Sequence, residues 1–170
     1  SAGNAAWEDP TYSYPDYNLT DSVQDPAQCW NALIVGGFTN QVSYDIDEYP
    51  DWAPVAELGK LSPTSTTSTS WDKTWPDRPD VVMEGGNLLS DGASHLLPDC
   101  LSLLTARRRR TARDRLLTSF AETSCATALA ARLWGQIKNQ HPRRWPETIR
   151  GLVVHSARWT EGMKKEFSGL

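Results

Sequence analysis

Two short apolar segments, each closed by a pair of glycines, limit most strongly how this chain can fold. The first spans residues 31–35 and ends at Gly36-Gly37, and the second spans residues 80–83 and is followed by Gly85-Gly86. Successive side chains of a strand point to opposite faces of a sheet, so an unbroken apolar run needs burial on both faces. Such runs are typical of parallel sheets, and we predict two buried strands.

The longest apolar segment predicts a helix over about residues 124–140. Residues 126–137 carry apolar side chains on nearly every helical face, which predicts a mostly buried helix, and His141-Pro142 ends it. Ser124 stands at the start of this helix. The free N–H groups and partial positive charge of a helix N-terminus favour an oxyanion beside the serine, but Ser is also a common N-cap. Both interpretations stay open at this stage.

The rest of the chain consists of three polar stretches and a second helix. We predict long loops at about residues 5–28, 40–78 and 87–118, and we place the Ser/Thr run 62–70 at the surface. An amphipathic helix is predicted over about residues 146–158, with an apolar face formed by Ile149, Leu152 and Val153. At 170 residues the chain has the size of one domain, and strands between helices indicate an α/β fold.

Composition argues against several classes of protein. No apolar run approaches the roughly 20 residues that span a bilayer, and a net charge of −4 gives no general attraction to nucleic acid or anionic lipid. Cys29, Cys100 and Cys125 are far apart and lack the spacing of a metal site. We therefore expect no membrane, nucleic acid, metal or cofactor as a partner. The compartment stays open, with the cytoplasm favoured over secretion.

Two features have both a functional and a structural interpretation. The run Arg107 to Arg110, with Arg113 and Arg115 close behind, can bind an acidic partner, mark a cleavage site or contact nucleic acid. Charge runs are usually solvated, and we favour that interpretation. Cys125 follows Ser124 directly, and we expect a small buried cysteine that packs the helix start rather than a thiol nucleophile.

Short motifs occur in a definite order along the chain. Ser1-Ala-Gly-Asn4 comes first, the two glycine-closed strands follow, and the second of them begins Arg78-Pro-Asp-Val-Val82. Thr123-Ser124-Cys125-Ala126 then opens the long helix. In this order the motifs resemble the later part of a subtilisin-like serine protease catalytic domain, whose nucleophile motif is Gly-Thr-Ser-x-Ala-x-Pro.

The resemblance covers most of residues 1–160 and carries an expectation about the fold. It implies a partial subtilisin-like fold, with a mostly parallel sheet and flanking helices. Residues 1–170 would be the C-terminal portion of a single catalytic domain whose N-terminal part is missing. Half of a parallel sheet leaves apolar edges exposed, so we expect self-association or association with the missing N-terminal part.

The resemblance also implies roles for two residues. Ser124 would attack the scissile carbonyl of a peptide or protein substrate, while the Asn4 amide and the Ser124 N–H would bind the oxyanion. The triad Asp and His precede the serine in this family, and nothing before Asn4 supplies them. Of the three histidines, His95 lies in a predicted loop, His141 at the helix stop and His155 inside the second helix. We predict a serine endopeptidase in the full-length protein and no activity for this chain alone.

Two departures from the motif keep an alternative open. Glu122 stands where the family has Gly, and Ala128 stands where it has Pro. A side chain at position 122 can disturb a backbone angle that glycine permits. The alternative is a non-catalytic pseudoprotease or protein-interaction module. Glu122 is also a candidate electrostatic partner for the arginine run.

Overall fold

The computed structural model describes residues 1–111 and 113–168. Within them the α-helices are α1 (Asp16–Thr20), α2 (Glu122–Gln140), α3 (Pro146–Ser156) and α4 (Glu161–Glu166). The strands are β1 (Val35–Phe38), β2 (Ala53–Pro54), β3 (Val81–Glu84), β4 (Leu89–Ser90), β5 (His95–Leu96), β6 (Leu103–Ala106) and β7 (Leu117–Phe120), and a 3-10 turn spans Asp99–Leu101. None of the described helices is long and apolar enough to cross a membrane.

The two glycine-closed segments form a parallel pair, as the sequence predicts. β1 and β3 run side by side in register from Val35 opposite Val81 to Phe38 opposite Glu84. Gly36 has no room for a side chain, because a Cβ there would lie 2.5 Å from Pro79 Cγ and 2.9 Å from Ser65 Oγ. The glycine in β1 therefore permits a close approach of the segment that precedes β3.

The expectation of a mostly parallel sheet is wrong, because the strands form a mixed set. β2, β4 and β5 build a three-stranded antiparallel sheet, and β6 pairs with β7 in an antiparallel hairpin. A parallel connection needs a crossover of a dozen or more residues. Only residues 91–94 separate β4 from β5, so the chain turns straight back on itself. The broader assignment to the α/β class agrees with the structure.

Helix α2 covers the parallel pair with one face only. Val35, Val81, Ala126, Ala130 and Val153 form an apolar cluster between β1, β3, α2 and α3. The predicted bounds of both long helices are confirmed to within about two residues. The prediction of a mostly buried first helix is wrong, since its opposite face is exposed. The short alanines on nearly every face suit either environment.

The Ser/Thr run predicted at the surface lies largely in the interior. All residues from Ser62 to Ser68 are buried. Their hydroxyls are matched to backbone groups: Ser62 Oγ donates to the Gly86 carbonyl at 2.8 Å, and Ser65 Oγ accepts the Gly37 N–H at 3.0 Å. Hydrogen-bonded hydroxyls can be buried at little cost, which polarity alone does not reveal. This segment fills the space beside β1 and the Gly85-Gly86 turn.

The three predicted loops contain short regular elements. Helix α1 lies inside residues 5–28, β2 lies inside residues 40–78, and three strands lie wholly inside residues 87–118. His95 therefore belongs to a strand rather than to a loop. These elements have only two to five residues each, which is too short to show a periodicity in the sequence.

Asp80 joins three parts of the fold. Its Oδ2 accepts the Ile34 N–H at 2.7 Å, next to β1, and its Oδ1 lies 2.5 Å from Arg78 Nη1 and 3.5 Å from Arg150 Nη2 in α3. The Arg78 and Asp80 side chains are almost fully buried. A buried carboxylate with this many partners fixes β1, β3 and α3 relative to one another.

Candidate active site

Strand β7 leads directly into the helix that carries Ser124. Ala121 is the N-cap and has an extended backbone, and the Glu122 N–H donates to the Gly85 carbonyl at 2.7 Å. Ser124 is thus the third residue of α2 and is exposed. It is not the N-cap, so the structural interpretation of this serine as a cap is wrong. The backbone N–H groups of this first turn have no partner four residues back within the helix.

Asn4 lies against the residue that precedes Ser124. Asn4 Oδ1 accepts the Thr123 N–H at 3.2 Å and the Thr123 hydroxyl at 2.7 Å. Thr123 is fully buried, and its hydroxyl also lies 3.2 Å from the Gly3 carbonyl. The structure therefore brings Asn4 into contact with Thr123, although the two residues are widely separated in the chain.

The Asn4 amide group already has an anionic partner. Asn4 Nδ2 donates to Glu122 Oε2 at 2.8 Å, and Trp7 Nε1 donates to Glu122 Oε1 at 3.1 Å. The Glu122 φ angle is +68°, in the left-handed region that glycine occupies without strain. Across the described residues no ion pair links Glu122 to an arginine. The carboxylate contacts Asn4 and Trp7 instead of the arginine run.

The described part of the chain places no histidine in hydrogen-bond contact with Ser124. His95 packs edge-on against the Tyr12 ring at 4.9 Å, and burial lowers the pKa of its imidazole. His141 follows the last residue of α2, roughly 25 Å from Ser124 at 1.5 Å of rise per residue. His155 is exposed near the end of α3. None of them is positioned as the base of a catalytic serine.

Cys125 packs under the start of α2, as the sequence predicts. Its Sγ lies 3.1 Å from the Glu122 carbonyl and 3.3 Å from the Glu84 carbonyl, and the residue is buried. Burial raises the pKa of the thiol to about 11, with the Glu84 charge acting in the same direction. A thiol that stays protonated at neutral pH is a poor nucleophile.

Sequence reasoning missed Trp7 as a member of this site. It lies in a polar stretch without periodicity, and no motif marks its indole N–H as a partner for a carboxylate. Thr123 was known only as part of a motif. The residues that the structure describes contain no group of three or more His, Cys, Asp or Glu side chains arranged to hold a metal ion.

The fold and the site define an α/β protein with an exposed serine in the first turn of a helix and an asparagine side chain against the threonine that precedes it. The family model for the subtilase family, peptidase S8, matches residues 1–169, and the chain belongs to this family. Membership implies a serine peptidase in general, with peptide or protein substrates. No curated protein and no solved structure matches the chain.

Proposed function

We propose that this chain carries the nucleophile and oxyanion-binding half of a serine endopeptidase. Ser124 attacks the scissile carbonyl and forms an acyl-enzyme, and the Asn4 amide and the Ser124 N–H bind the oxyanion. The contact of Asn4 with Thr123 supports these roles most directly, because it holds the Asn4 side chain against the residue that precedes the exposed serine. An amide donor aimed at the oxyanion contributes about 3–4 kcal/mol to catalysis.

The proposal assigns the general base and its carboxylate to parts of the protein outside this chain. A serine hydroxyl is a weak nucleophile until a neighbouring base takes its proton. The three histidines are held elsewhere, by a ring contact and by their places at helix ends. We therefore expect the isolated chain to be inactive and the full-length protein to be active.

A fluorophosphonate probe followed by peptide mapping tests the proposal. In the full-length protein we expect the probe on Ser124, with no labelling of the Ser124→Ala variant. The isolated chain should stay unlabelled, and Ser119→Ala serves as a matched control because Ser119 lies in the strand that precedes the helix. Labelling at another residue of the full-length protein, or none, would contradict a nucleophilic Ser124. Labelling and turnover by the isolated chain would contradict an external base.

A second candidate function is a non-catalytic pseudoprotease or protein-interaction module. The Glu122 carboxylate favours it, because it engages the same Asn4 amide that would bind an oxyanion. Full-length protein that stays unlabelled and hydrolyses no peptide, while remaining folded, would support this candidate over the first.

We also propose that another chain, or the remainder of the same protein, covers the exposed apolar residues. Trp30, Ile46, Trp145 and Trp159 are all more than half exposed. Without the remainder of the protein, the isolated chain should cover these residues by self-association, so light scattering should give a mass above the 18.9 kDa of one chain. A stable compact monomer would contradict this proposal.

A further inference from the structure

The β6–β7 hairpin exposes leucines that nothing in the described chain covers. Leu104 is 71% exposed, Leu116 60% and Leu117 50%. Ala106 lies opposite Leu117 and Leu104 lies opposite Ser119, so Leu104 and Leu117 share one face of the hairpin. Within the described residues the hairpin pairs with no third strand. Isolated two-stranded hairpins are marginally stable, and exposed apolar patches commonly mark interaction sites.

A groove of about 640 Å³ runs along this hairpin. Four leucines and two arginines account for much of its lining: Leu103, Leu104, Leu116, Leu117, Arg107 and Arg115. We refer to this surface as the hairpin groove. Its volume falls within the usual range for ligand sites, about 300–1,000 Å³. Its lining combines apolar side chains with two arginines and one aspartate, Asp99.

The turn that joins the two strands concentrates the positive charge of the molecule. Six of the residues between Ala106 and Leu116 are arginines, whereas the whole chain has a net charge of −4. The one acidic residue there, Asp114, is occupied within the turn: its carboxylate accepts the Arg110 N–H at 2.6 Å and the Thr111 N–H at 2.8 Å. Asp114 therefore holds the turn. Arg107 and Arg115 outnumber the one carboxylate in the groove lining, Asp99, so the lining carries a net positive charge.

We propose that the hairpin groove binds an acidic peptide segment that carries leucine-like side chains. The leucines take up the apolar side chains, and Arg107 and Arg115 pair with the carboxylates. The same charges attract nucleic acid, but single strands bind mainly by stacking their bases on aromatic rings. The residues that line the groove are leucines, two arginines, small polar residues and one aspartate, Asp99, without an aromatic ring. This favours a peptide over nucleic acid.

Fluorescence anisotropy with a labelled peptide of alternating glutamate and leucine tests the proposal on the intact chain. We expect saturable binding that weakens as salt is added. The double variant Arg107→Glu/Arg115→Glu should lose about tenfold or more in affinity, as two exposed ion pairs become repulsive. Arg143→Glu/Arg144→Glu is the matched control, because both residues are exposed in the α2–α3 connection. Its affinity should stay within about twofold.

A leucine variant and a second peptide separate the contribution of the apolar contacts from that of the ion pairs. Leu104→Ser/Leu117→Ser keeps every charge and should weaken binding of the glutamate–leucine peptide but not that of a glutamate–serine peptide. Circular dichroism of each variant shows that it is folded. No saturable binding, equal loss in the control variant, or tighter binding of a single-stranded oligonucleotide that displaces the peptide would each overturn the proposal. The assay needs no hydrolysis, so its failure leaves the proposed function of Ser124 untouched.

Discussion

Glu122 combines a left-handed backbone with a carboxylate that contacts Asn4, the residue proposed as the oxyanion donor. A non-glycine residue in this region of φ costs about 1–3 kcal/mol unless its surroundings hold it there. The surroundings are visible: the Gly85 carbonyl accepts its N–H, while Asn4 and Trp7 donate to its side chain. The carboxylate occupies the donor that a tetrahedral intermediate would need. In the proposed mechanism Glu122 would therefore compete with the oxyanion for the Asn4 amide.

Replacing Glu122 with glycine should remove the carboxylate that engages the Asn4 amide. The Glu122→Gly variant of the full-length protein frees the Asn4 amide, and one such donor changes the catalytic rate by about 10²–10³-fold. We expect fluorophosphonate labelling and peptide hydrolysis to rise toward that extent. Glu122→Gln is the control: it keeps a side chain on the strained backbone and should give a smaller increase. Unchanged rates for Glu122→Gly would show that the contact does not limit activity.

The thiols should divide into two kinetic classes. Cys29 and Cys100 are exposed and Cys125 is buried, and a pKa of about 11 leaves about one Cys125 thiol in a thousand ionised at pH 8. We expect two thiols to react quickly with a disulfide reagent in the native protein and the third only after denaturation. Reactivity of Cys125 should rise with pH toward 11. The Cys29→Ser/Cys100→Ser variant should be inert at pH 8, and rapid reaction of that folded variant would contradict the assignment.

Which parts of the site can be predicted from sequence depends on the kind of interaction. The order of the motifs predicts that Asn4 and Ser124 serve one site, and the structure places Asn4 against Thr123. The contacts of Glu122 could not be predicted, because a substituted motif position does not tell where the new side chain points. Trp7 joins through its indole N–H alone, and a single polar atom leaves no pattern in a sequence.

At the scale of elements, glycines play opposite parts in strands and helices. Gly36 in β1 lies against Pro79 and Ser65, whereas Gly135 in α2 has no atom within 4 Å of the place of a Cβ. Glycine inside a helix destabilises it by about 0.5–1 kcal/mol relative to alanine. Substitution by alanine should therefore lower the free energy of unfolding at Gly36 and raise it at Gly135.

Urea denaturation of the two alanine variants measures both changes in the free energy of unfolding. Gly135→Ala should raise the free energy of unfolding by about 0.5–1 kcal/mol, and Gly36→Ala should lower it by about 1–3 kcal/mol through overpacking. Gly151→Ala in α3, also without neighbours, is a second test of the gain. A loss for Gly135→Ala, or no loss for Gly36→Ala, would contradict the packing described for that element.

Strong periodicity and length decide which elements are predictable. Helices α2 and α3 have both, and their predicted bounds agree with the structure. The antiparallel pairs are not predicted, because β2, β4 and β5 each have two residues and β6 and β7 each have four, too few to show a clear period. The face of α3 is only partly as predicted: Ile149 and Val153 are buried, while Leu152 is exposed. The spacing of apolar residues therefore predicts a wider face for α3 than the face that is buried.

At the scale of the whole molecule, Asp80 is the point where the layers are joined. Its carboxylate contacts Ile34 just before β1, Arg78 just before β3 and Arg150 in α3. Removing one member of a buried ion pair leaves the other charge without compensation, which costs about 3–5 kcal/mol. Asp80→Ala should therefore lower the free energy of unfolding by about that amount in urea denaturation.

Arg150→Ala serves as the control for Asp80. The Arg150 side chain is partly exposed and lies 3.5 Å from the carboxylate, so its loss should cost about 1 kcal/mol or less. If Asp80→Ala is too unstable to purify, hydrogen exchange of Asp80→Asn can replace denaturation and should show faster exchange in β1, β3 and α3. A loss below about 1 kcal/mol for Asp80→Ala would contradict the central place of this residue.

The buried Ser/Thr run has a consequence for covalent modification. Ser62, Thr64, Ser65, Thr66, Thr67 and Ser68 resemble a cluster of acceptors for phosphate or O-linked sugar, yet their hydroxyls lie inside the fold. A phosphate adds nearly two negative charges and cannot be accommodated in that space. A modified residue in this run would therefore show that the chain was modified before it folded. Such a chain would be unable to bury this segment in the folded structure.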